Sequence, residues 1–382
     1  MTPGSRPMTG SPADPEHTTT VVFSNEPPRR ARSLTRRVAR WFAMFVLILI
    51  LVVVAFFFWA SGGDSDDREI APGLVLDRSA QVAVKAFPPA GTNPPGALTV
   101  VSFNIGYGRG PAGDESGPWT REHIEKHLDG IAGQLVALNA DLVFLQEVDL
   151  DSARSHHIDQ GVYLADKAAF PFVSCVTTWE KNYVPFPYWP PSRHYGAMKS
   201  GQCVLSRFPI KSSTRHRLPQ PTSNPWWRNR FYLNRALDVL ELDLGGRRVH
   251  AVNVHLEAFD VDNRMDQVQR LIALMPTLEA DRLVVAGDFN ALPPDAAQKK
   301  GFVDEPEADF TNDATLTMMR KVEGLSEAVP EHTAFTFPAD GPTRRLDYVF
   351  FGRAFQRLEG RVVSEAPVWS DHLPVLVKLS LN

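Results

Sequence analysis

The sequence contains little cysteine, with only Cys175 and Cys203 among its 382 residues. Two cysteines are too few for a disulfide-rich scaffold or for a zinc site built from several thiolates. Two interpretations of the pair stay open. The residues form a disulfide if their segment lies outside the cytoplasm, or they are separate buried thiols on two strands.

Charge is absent from residues 41–60, a run of twenty apolar side chains. A helix of that length spans ~30 Å, the thickness of the hydrocarbon core of a bilayer. Trp41 and Trp59 stand near its ends, as aromatic residues do at membrane interfaces. A buried core helix would have a polar face, and this run has none. A cleaved signal peptide is the rival interpretation, but its apolar region would be shorter and closer to the N-terminus. We therefore predict one transmembrane helix at 41–60.

Charges on either side of this run predict its orientation. Six arginines precede it and four acidic residues follow it: Arg29, Arg30, Arg32, Arg36, Arg37 and Arg40, then Asp64, Asp66, Asp67 and Glu69. Positive residues stay on the cytoplasmic side, so everything after Ser61 is expected outside. Residues 1–40, rich in Pro, Thr, Ser and Arg, are predicted to be a disordered basic cytoplasmic tail. Residues 61–97, rich in Gly, Pro and Asp, are predicted to be a linker. A folded domain is predicted at 98–382.

The part beyond the apolar run also lacks an excess of positive charge. Residues 1–60 hold 7 of the 40 basic and 3 of the 44 acidic residues, which leaves 33 basic and 41 acidic, a net charge of −8. Proteins that grip duplex DNA through its phosphates need a basic face. The charge balance therefore disfavours duplex DNA as a substrate, although a local basic patch is compatible with it.

Periodicity in the folded domain predicts a β-α-β unit at its start. The run from Leu98 to Phe103 is typical of a buried strand that ends at Asn104, and 141–147 is the next strand. Between them, 120–139 has an apolar stripe at helical spacing. Further strands are predicted at 171–177, 201–207, 236–244, 248–255, 283–288, 346–351 and 373–381, with a helix at 263–280.

Strands outnumber helices, and some are joined too tightly for crossover helices. Gly245-Gly246 separates two apolar runs, which is typical of a β-hairpin. We therefore predict an α/β fold with mixed sheets and not a doubly wound parallel sheet.

Polar residues that suit chemistry stand at the ends of these apolar runs. They are Asn104, Gln146-Glu147, His255, Gly287-Asp288-Phe289-Asn290, Asp347 and Ser370-Asp371-His372. Buried strands normally end in turn residues, so repeated carboxylates, amides and imidazoles predict one convergent site.

In this order and context, the motifs resemble those of the endonuclease/exonuclease/phosphatase superfamily, the metal-dependent phosphodiesterases related to pancreatic deoxyribonuclease. The resemblance extends from Leu98 to Leu381. It implies a four-layer α/β/β/α sandwich with two mixed β-sheets, here preceded by the transmembrane helix. It also implies a Mg²⁺-dependent hydrolase of phosphate esters, with Mn²⁺ as a possible substitute, acting on a phosphodiester outside the membrane. No protein partner is implied.

The resemblance assigns a role to each strand-end residue. Glu147 would bind the metal with Asn104 and Asp371, since Mg²⁺ prefers oxygen ligands. Asp288 would orient or deprotonate the attacking water, and Asn290 would contact the phosphate. The remaining catalytic residues would be His255, together with His372 held by Asp347. Taken alone, Glu147 is more often a solvated strand-end charge, and the Gln-Glu pair with Asn104 beside it reverses that preference. Asp288 with Asn290, taken alone, is equally a turn cap.

Two segments rich in proline and aromatic residues, 177–200 and 218–233, are the expected determinants of the substrate. Trp227 and Arg228 in the second segment, and Arg235 just beyond it, are predicted to bind substrate. Such residues stack nucleic-acid bases, seat at a lipid interface, or simply pack on the sandwich. A nuclease, a lipid head-group phosphodiesterase similar to the neutral sphingomyelinases, and a catalytically silent anchored binding module therefore stay open. Ala291 follows the Gly-Asp-x-Asn motif where inositol-polyphosphate 5-phosphatases have arginine, which argues against that branch.

Overall fold

A computed structural model describes residues 29–63, 68–70, 74–75, 96–111, 117–331 and 333–381. For 29–33, 68–70 and 74–75 it describes the backbone alone. The chain divides into two compact units, the first ending at Phe56 and the second running from Phe57 to Asn382.

The first unit contains most of one long helix, α1, Arg29–Ala60. Its stretch Leu34–Ala60 is long and apolar enough to cross a membrane, a test that signal sequences also pass. The predicted disordered tail ended at Arg40, and from Arg29 onward that prediction is wrong; residues 1–28 lie outside the described residues. Arginine is a good helix former, and no proline occurs from Arg29 to Ala60, so the apolar helix continues backward through the basic segment.

The predicted linker 61–97 contains two short strands, β1 (Arg68–Ile70) and β2 (Leu74–Val75). Each pairs with an outer strand of a sheet in the second unit. An edge strand has unpaired N–H and C=O groups that a passing segment can satisfy, which is why these residues are not a free tether. Residues 64–67, 71–73 and 76–95 lie outside the described part of the chain.

Two seven-stranded sheets form the core of the second unit. The other strands are β3 (Ala97–Asn104), β4 (Leu142–Asp149), β5 (Phe172–Val184), β6 (Gly196–Ser206), β7 (Ile210–Arg217), β8 (Ala236–Asp243), β9 (Arg248–His255), β10 (Leu283–Asp288), β11 (Leu325–Glu327), β12 (Asp347–Gly352), β13 (Phe355–Val362) and β14 (Val375–Leu381). The helices are α2 (Arg121–Ala137), α3 (Gln160–Lys167), α4 (Trp226–Asn229), α5 (Val261–Leu274) and α6 (Thr315–Arg320). One sheet has the order β1-β7-β8-β9-β10-β12-β11 and the other β13-β14-β3-β4-β6-β5-β2.

Both sheets are mixed, as predicted. The pairs β3/β4 and β9/β10 are parallel, while the other strand pairs described in the two sheets are antiparallel. The predicted hairpin at Gly245-Gly246 is the β8/β9 pair, closed by Asp243 opposite Arg248.

Three apolar clusters separate four layers. The first lies between the sheets and includes Phe144 and Val284. The second lies between the sheet that contains β3 and the helices α2 and α3, and it includes Phe103 and Leu128. The third lies between the other sheet and the helices α5 and α6. Alternating side chains let each strand fill a different cluster on each face. The four-layer α/β/β/α sandwich is therefore confirmed.

Several elements differ from their predicted bounds. Helix α5 ends at Leu274 and not at 280, because Pro276 cannot continue an α-helix. Strands β7, β11 and β13 and helices α3, α4 and α6 have no counterpart in the prediction. The polar residues of β13 are exposed or half-buried, and that strand therefore lacks the continuous apolar run of a buried strand.

Cys175 and Cys203 form a disulfide. They stand opposite each other in the antiparallel pair β5/β6, with their Cα atoms 4.1 Å apart. Of the two interpretations that the sequence left open, the paired one is the observed one.

Gly287 in the Gly-Asp-Phe-Asn motif has φ +150°, a conformation that side chains rarely adopt. A Cβ atom there would overlap the carbonyl oxygen of Val254 in β9. We expect Gly287→Ala to lower the free energy of unfolding by about 3 kcal/mol or more, because β9 and β10 must separate. Denaturant unfolding of the fragment 57–382 measures this. As a control, Gly133→Ala on α2 meets no described atom within 4 Å and is expected to stabilise by ~0.5–1 kcal/mol. Equal effects of the two substitutions would contradict this account.

Candidate active site

Polar ends of strands from both sheets meet at one edge of the sandwich. Asp288, the last residue of β10, is the register partner of His255 at the end of β9 and of Asp347 at the start of β12. Asn104 at the end of β3 belongs to the other sheet, and its Nδ2 donates to Asp288 Oδ2 at 3.0 Å. The structure therefore brings residues that are far apart in sequence into one buried cluster.

Glu147 lies at an irregularity of β4, where the register with β6 shifts between Leu145 and Val148. Its φ is +53°, and its side chain keeps 21% exposure, so the backbone turns this carboxylate toward the cluster. Its oxygens lie 3.6 Å from Arg109 Nη2 and 4.0 Å from His255 Nε2. No described residue donates a hydrogen bond of normal length to it. A partly open carboxylate with such loose contacts suits a hard divalent cation.

His372 and Asp347 form a buried pair, with Nδ1 and Oδ2 2.8 Å apart. The other ring nitrogen, Nε2, lies 3.8 Å from Asp288 Oδ2. Burial lowers the pKa of His372, but the carboxylates of Asp347, Asp288 and Asp371 outweigh burial and raise it to about 10. His372 is therefore an imidazolium at neutral pH.

Asp288 is the centre of this network. Asn104 Nδ2 and the backbone N–H of Asn290 donate to its two oxygens at 3.0 and 2.8 Å. Burial and the neighbouring Asp347 raise the pKa of Asp288 to about 7, despite the opposing effect of His372. A carboxylate with such a pKa is suited to accept a proton near neutral pH.

Asn290 turns the chain away from β10 in the left-handed conformation, with φ +50°. Its side-chain Nδ2 donates to the carbonyl of Leu256 at 3.0 Å, and Phe289 is fully buried. Asn290 therefore serves in the turn, as the structural interpretation of this motif has it, and its contact with phosphate stays a prediction.

His255 is buried against Arg235, whose Nη1 lies 2.7 Å from His255 Nε2. Because arginine only donates, Nε2 accepts and the imidazole proton is on Nδ1. Burial, followed by the charges of Arg235 and His372, keeps the pKa of His255 well below its usual value. Asp288 Oδ2 thus lies near both the neutral His255, at 3.7 Å, and the charged His372, at 3.8 Å, and Arg235 is inside the site.

Asp371 lies beside His372 in the segment that precedes β14. Ser370 Oγ donates to the backbone carbonyl of Asn104 at 2.8 Å and lies 3.0 Å from Asp371 Oδ1. Gly106 has φ +51°, and a side chain there would collide with the Asp371 carboxylate. The Ser-Asp-His motif is therefore fastened to the loop that follows β3.

The geometry also identifies a group that the sequence analysis did not treat as metal ligands. Asp288, Asp347 and His372 have potential ligand atoms within 4.8 Å of one another. This buried group could hold a metal. However, His372 Nδ1 is already bonded to Asp347, and a protonated imidazole is not a ligand. Glu147, by contrast, makes no hydrogen bond of normal length with any described residue, so its oxygens are available to a metal ion.

Trp227 and Arg228, predicted to bind substrate, lie on the short helix α4, where no described contact joins them to the cluster. Trp227 is exposed. The same loop continues to Tyr232, whose hydroxyl donates at 2.5 Å to Oε1 of Glu257, two residues after His255. Trp227 and Arg228 are therefore not part of the buried cluster, and lie on the stretch of chain that leads to Arg235.

Arg109 is a site residue that the sequence analysis missed. Its Nε donates to the carbonyl of Gly106 at 2.9 Å, and Nη2 faces Glu147. Burial lowers the pKa of Arg109, yet Glu147 and Asp371 outweigh burial and raise it. The signal that could have found it is the run Gly106-Tyr107-Gly108-Arg109-Gly110 directly after β3, since glycines let backbone approach a ligand closely.

The sequence profile of the Endonuclease/Exonuclease/phosphatase family matches residues 101–372. The chain belongs to this family. Enzymes of the Endonuclease/Exonuclease/phosphatase family hydrolyse phosphate esters, and the chain is therefore a phosphoester hydrolase. The site described above lies within the matched range. No curated protein matches the chain.

Solved structures of the Endonuclease/Exonuclease/phosphatase family share the fold. A family member from Beutenbergia cavernae is 23% identical with a TM-score of 0.52, covering 75% of this chain and 72% of that one. A member from Bacteroides vulgatus is 16% identical with a TM-score of 0.52, covering 75% and 100%. A mannosyl-6-phosphatase from Bacteroides thetaiotaomicron is 16% identical with a TM-score of 0.51, covering 74% and 100%. At these identities the likeness concerns the fold alone.

Proposed function

We propose that this hydrolase is a Mg²⁺-dependent phosphodiesterase that acts on the outer side of a membrane, to which α1 anchors it. The observation that carries the proposal is the buried His372–Asp347 pair facing Asp288, beside the loosely contacted carboxylate of Glu147. Together they supply a cationic acid, a proton acceptor and a ligand for a hard cation.

Glu147 would hold the metal, with Asn104 and Asp371 assisting and Mn²⁺ as a substitute for Mg²⁺. A bound divalent ion neutralises charge on the phosphoryl group. The donor set supports a hard cation because carboxylate and amide oxygens predominate. Asn104 Oδ1 accepts from the backbone N–H of Gly106 at 3.0 Å, which fixes the amide with this oxygen turned away from Asp288.

The protein's own groups divide the proton chemistry. Asp288 accepts a proton from the attacking water, because its raised pKa makes it a stronger base than an ordinary carboxylate. His372 donates from Nε2 to the phosphoryl or leaving oxygen, while Asp347 holds Nδ1. His255 Nε2 lies 3.7 Å from the same Asp288 oxygen, and Arg235 beside it adds positive charge for an anionic substrate.

The disulfide supports an extracytoplasmic location for the domain. Disulfides persist in oxidising compartments and are rare in the cytosol. The arginine-rich start of α1 and the acidic residues after it support the same orientation.

Protease added outside intact cells is expected to degrade the chain beyond Ser61 while sparing a tag at Met1. Protection of the domain from the protease would show that the orientation is the reverse. A mature protein that starts near Ser61 would show that the apolar run is a cleaved signal peptide and not an anchor.

Turnover by the full-length protein in detergent tests the activity. We expect hydrolysis of bis(4-nitrophenyl) phosphate that is lost in chelator and restored by Mg²⁺ or Mn²⁺. Hydrolysis of only the monoester 4-nitrophenyl phosphate would make the protein a phosphatase, and turnover of neither would leave a silent binding module. DNA, RNA, sphingomyelin, glycerophospholipids and inositol phosphates compared under the same conditions separate an extracytoplasmic nuclease from a lipid head-group phosphodiesterase.

A further inference from the structure

A surface loop in the second unit exposes large aromatic side chains together with arginine. Residues 226–231, called the aromatic loop below, read Trp-Trp-Arg-Asn-Arg-Phe. Trp226 is 66% exposed and Trp227 is 52% exposed. Tryptophan beside arginine is an unusual surface for water but a favourable one for the boundary between lipid and water.

The aromatic loop contacts the end of the apolar helix. Phe57 to Gly63 belong to the same compact unit as the loop. The ring of Phe57 lies 5.9 Å from that of Trp226 and 5.3 Å from that of Phe231, in edge-on contacts. The guanidinium of Arg230 lies 5.0 Å from the ring of Phe58. The loop is therefore at the level where the apolar run ends.

A second contact fixes this junction. Asn182 on β5 donates from Nδ2 to the carbonyl of Trp59 at 2.8 Å and from its backbone N–H to the carbonyl of Gly62 at 3.2 Å. Ala60 and Ser61 are buried. Two different parts of the domain thus hold the last residues of the helix, so that the aromatic loop has a defined position beside them.

The aromatic loop also leads directly into the catalytic cluster. Tyr232 follows it and bonds to Glu257, two residues beyond His255. Arg235, at the end of the same connection, contacts His255. A surface at the end of the membrane span and the buried site are therefore joined by one short stretch of chain.

We propose that the aromatic loop is a membrane-docking surface that rests in the phospholipid head-group layer where α1 leaves the bilayer. Trp226 and Trp227 insert their rings at the interface, and Arg228 and Arg230 face lipid phosphates. This holds the catalytic site at the membrane surface, so the substrate class is a phosphodiester carried by membrane lipid. The inference rests on the proposed anchoring and outward orientation.

An environment-sensitive label tests the docking surface without measuring turnover. Because Cys175 and Cys203 are the two cysteines of the chain and are paired, a new cysteine is the one free thiol. The full-length chain carrying Trp226→Cys, labelled with NBD, is placed in nanodiscs of phosphatidylcholine and phosphatidylglycerol, one protein per disc. We expect at least a twofold rise in NBD emission relative to the control, and strong quenching by spin-labelled lipid.

Leu358→Cys on β13, 55% exposed and far along the sheet order from β5, is the matched control. Its label should respond to aqueous iodide and not to spin-labelled lipid. Trp227→Cys serves as a second position if Trp226→Cys weakens folding, and Arg230→Gln should reduce lipid quenching at 226. The proposal would be overturned if iodide quenched the label at 226 as strongly as the label at 358. It would also be overturned if the label at 226 were shielded from iodide but were not quenched by spin-labelled lipid. Neither result alters the test of metal-dependent turnover.

Discussion

Glu147→Gln is expected to lower metal-dependent turnover by about 10³-fold or more while the protein stays folded. The ion is worth several kcal/mol of charge stabilisation on the phosphoryl group, and each 1.36 kcal/mol is a factor of ten in rate. The φ of Glu147 is +53°, which disfavours every residue with a side chain. Glutamine has the same size as glutamate, so the conformational cost of this backbone position is the same in the variant and in wild type. Initial rates at saturating Mg²⁺, together with Mn²⁺ binding followed by electron paramagnetic resonance, measure both effects.

Glu125→Gln is the control for this experiment. Glu125 on α2 forms an exposed pair with Arg121 one turn away, which contributes little. Its replacement should leave turnover and Mn²⁺ binding unchanged. Unchanged activity of wild type in chelator, or full rescue of Glu147→Gln by Ca²⁺ alone, would remove Glu147 from the proposed metal site.

His372→Ala is expected to lower kcat by ~10²–10⁴, the usual range for a positioned proton-transfer group. Asp347→Asn should lose much of the same factor, because the amide keeps the geometry but does not support the imidazolium charge. The double variant should lose little more than His372→Ala, since each change disables the same pair. A double variant that loses the product of the two single effects would show that the residues act independently.

The surface pair His157–Asp151 is a matched control, with Nδ1 and Oδ1 2.6 Å apart but both side chains exposed. His157→Ala and Asp151→Asn should leave kcat unchanged. The pH profile provides a further readout. Asp347 helps to raise the pKa of His372 from 6.5 to about 10, so activity that needs the imidazolium persists at alkaline pH in wild type. In Asp347→Asn that pKa falls, and the alkaline limb of kcat should move to lower pH.

The raised pKa of His372 also makes the free energy of unfolding depend on pH. The pKa of His372 is raised in the folded state, so its contribution is fully present below about 6.5 and is lost as pH rises toward 10. Wild type should therefore lose stability across this range, and Asp347→Asn should lose less. Denaturant unfolding at several pH values measures the free energy of unfolding of both proteins. Equal slopes of this free energy against pH would contradict the proposed effect of Asp347 on the pKa of His372.

Much of the fold follows from local patterns in the sequence. The stripe on α2, the runs of β3, β4, β9 and β10, and the glycine turn between β8 and β9 are all short-range signals, because side-chain periodicity reports which face of an element is buried. The end of α5 was missed despite Pro276, and β13 was missed because its exposed face carries polar residues. Strands β1 and β2 depend on pairing with distant edges, which no local pattern reports.

The site divides in the same way. The sequence by itself determined which polar groups stand at strand ends, and with them the family, the reaction class and the candidates Glu147, Asp288 and His372. Only the tertiary structure decided the partners: Arg235 on His255, Arg109 opposite Glu147, and the disulfide between Cys175 and Cys203. Charge state and reactivity depend on burial and on neighbours a few ångströms away, and chain segments far apart in sequence supply those neighbours.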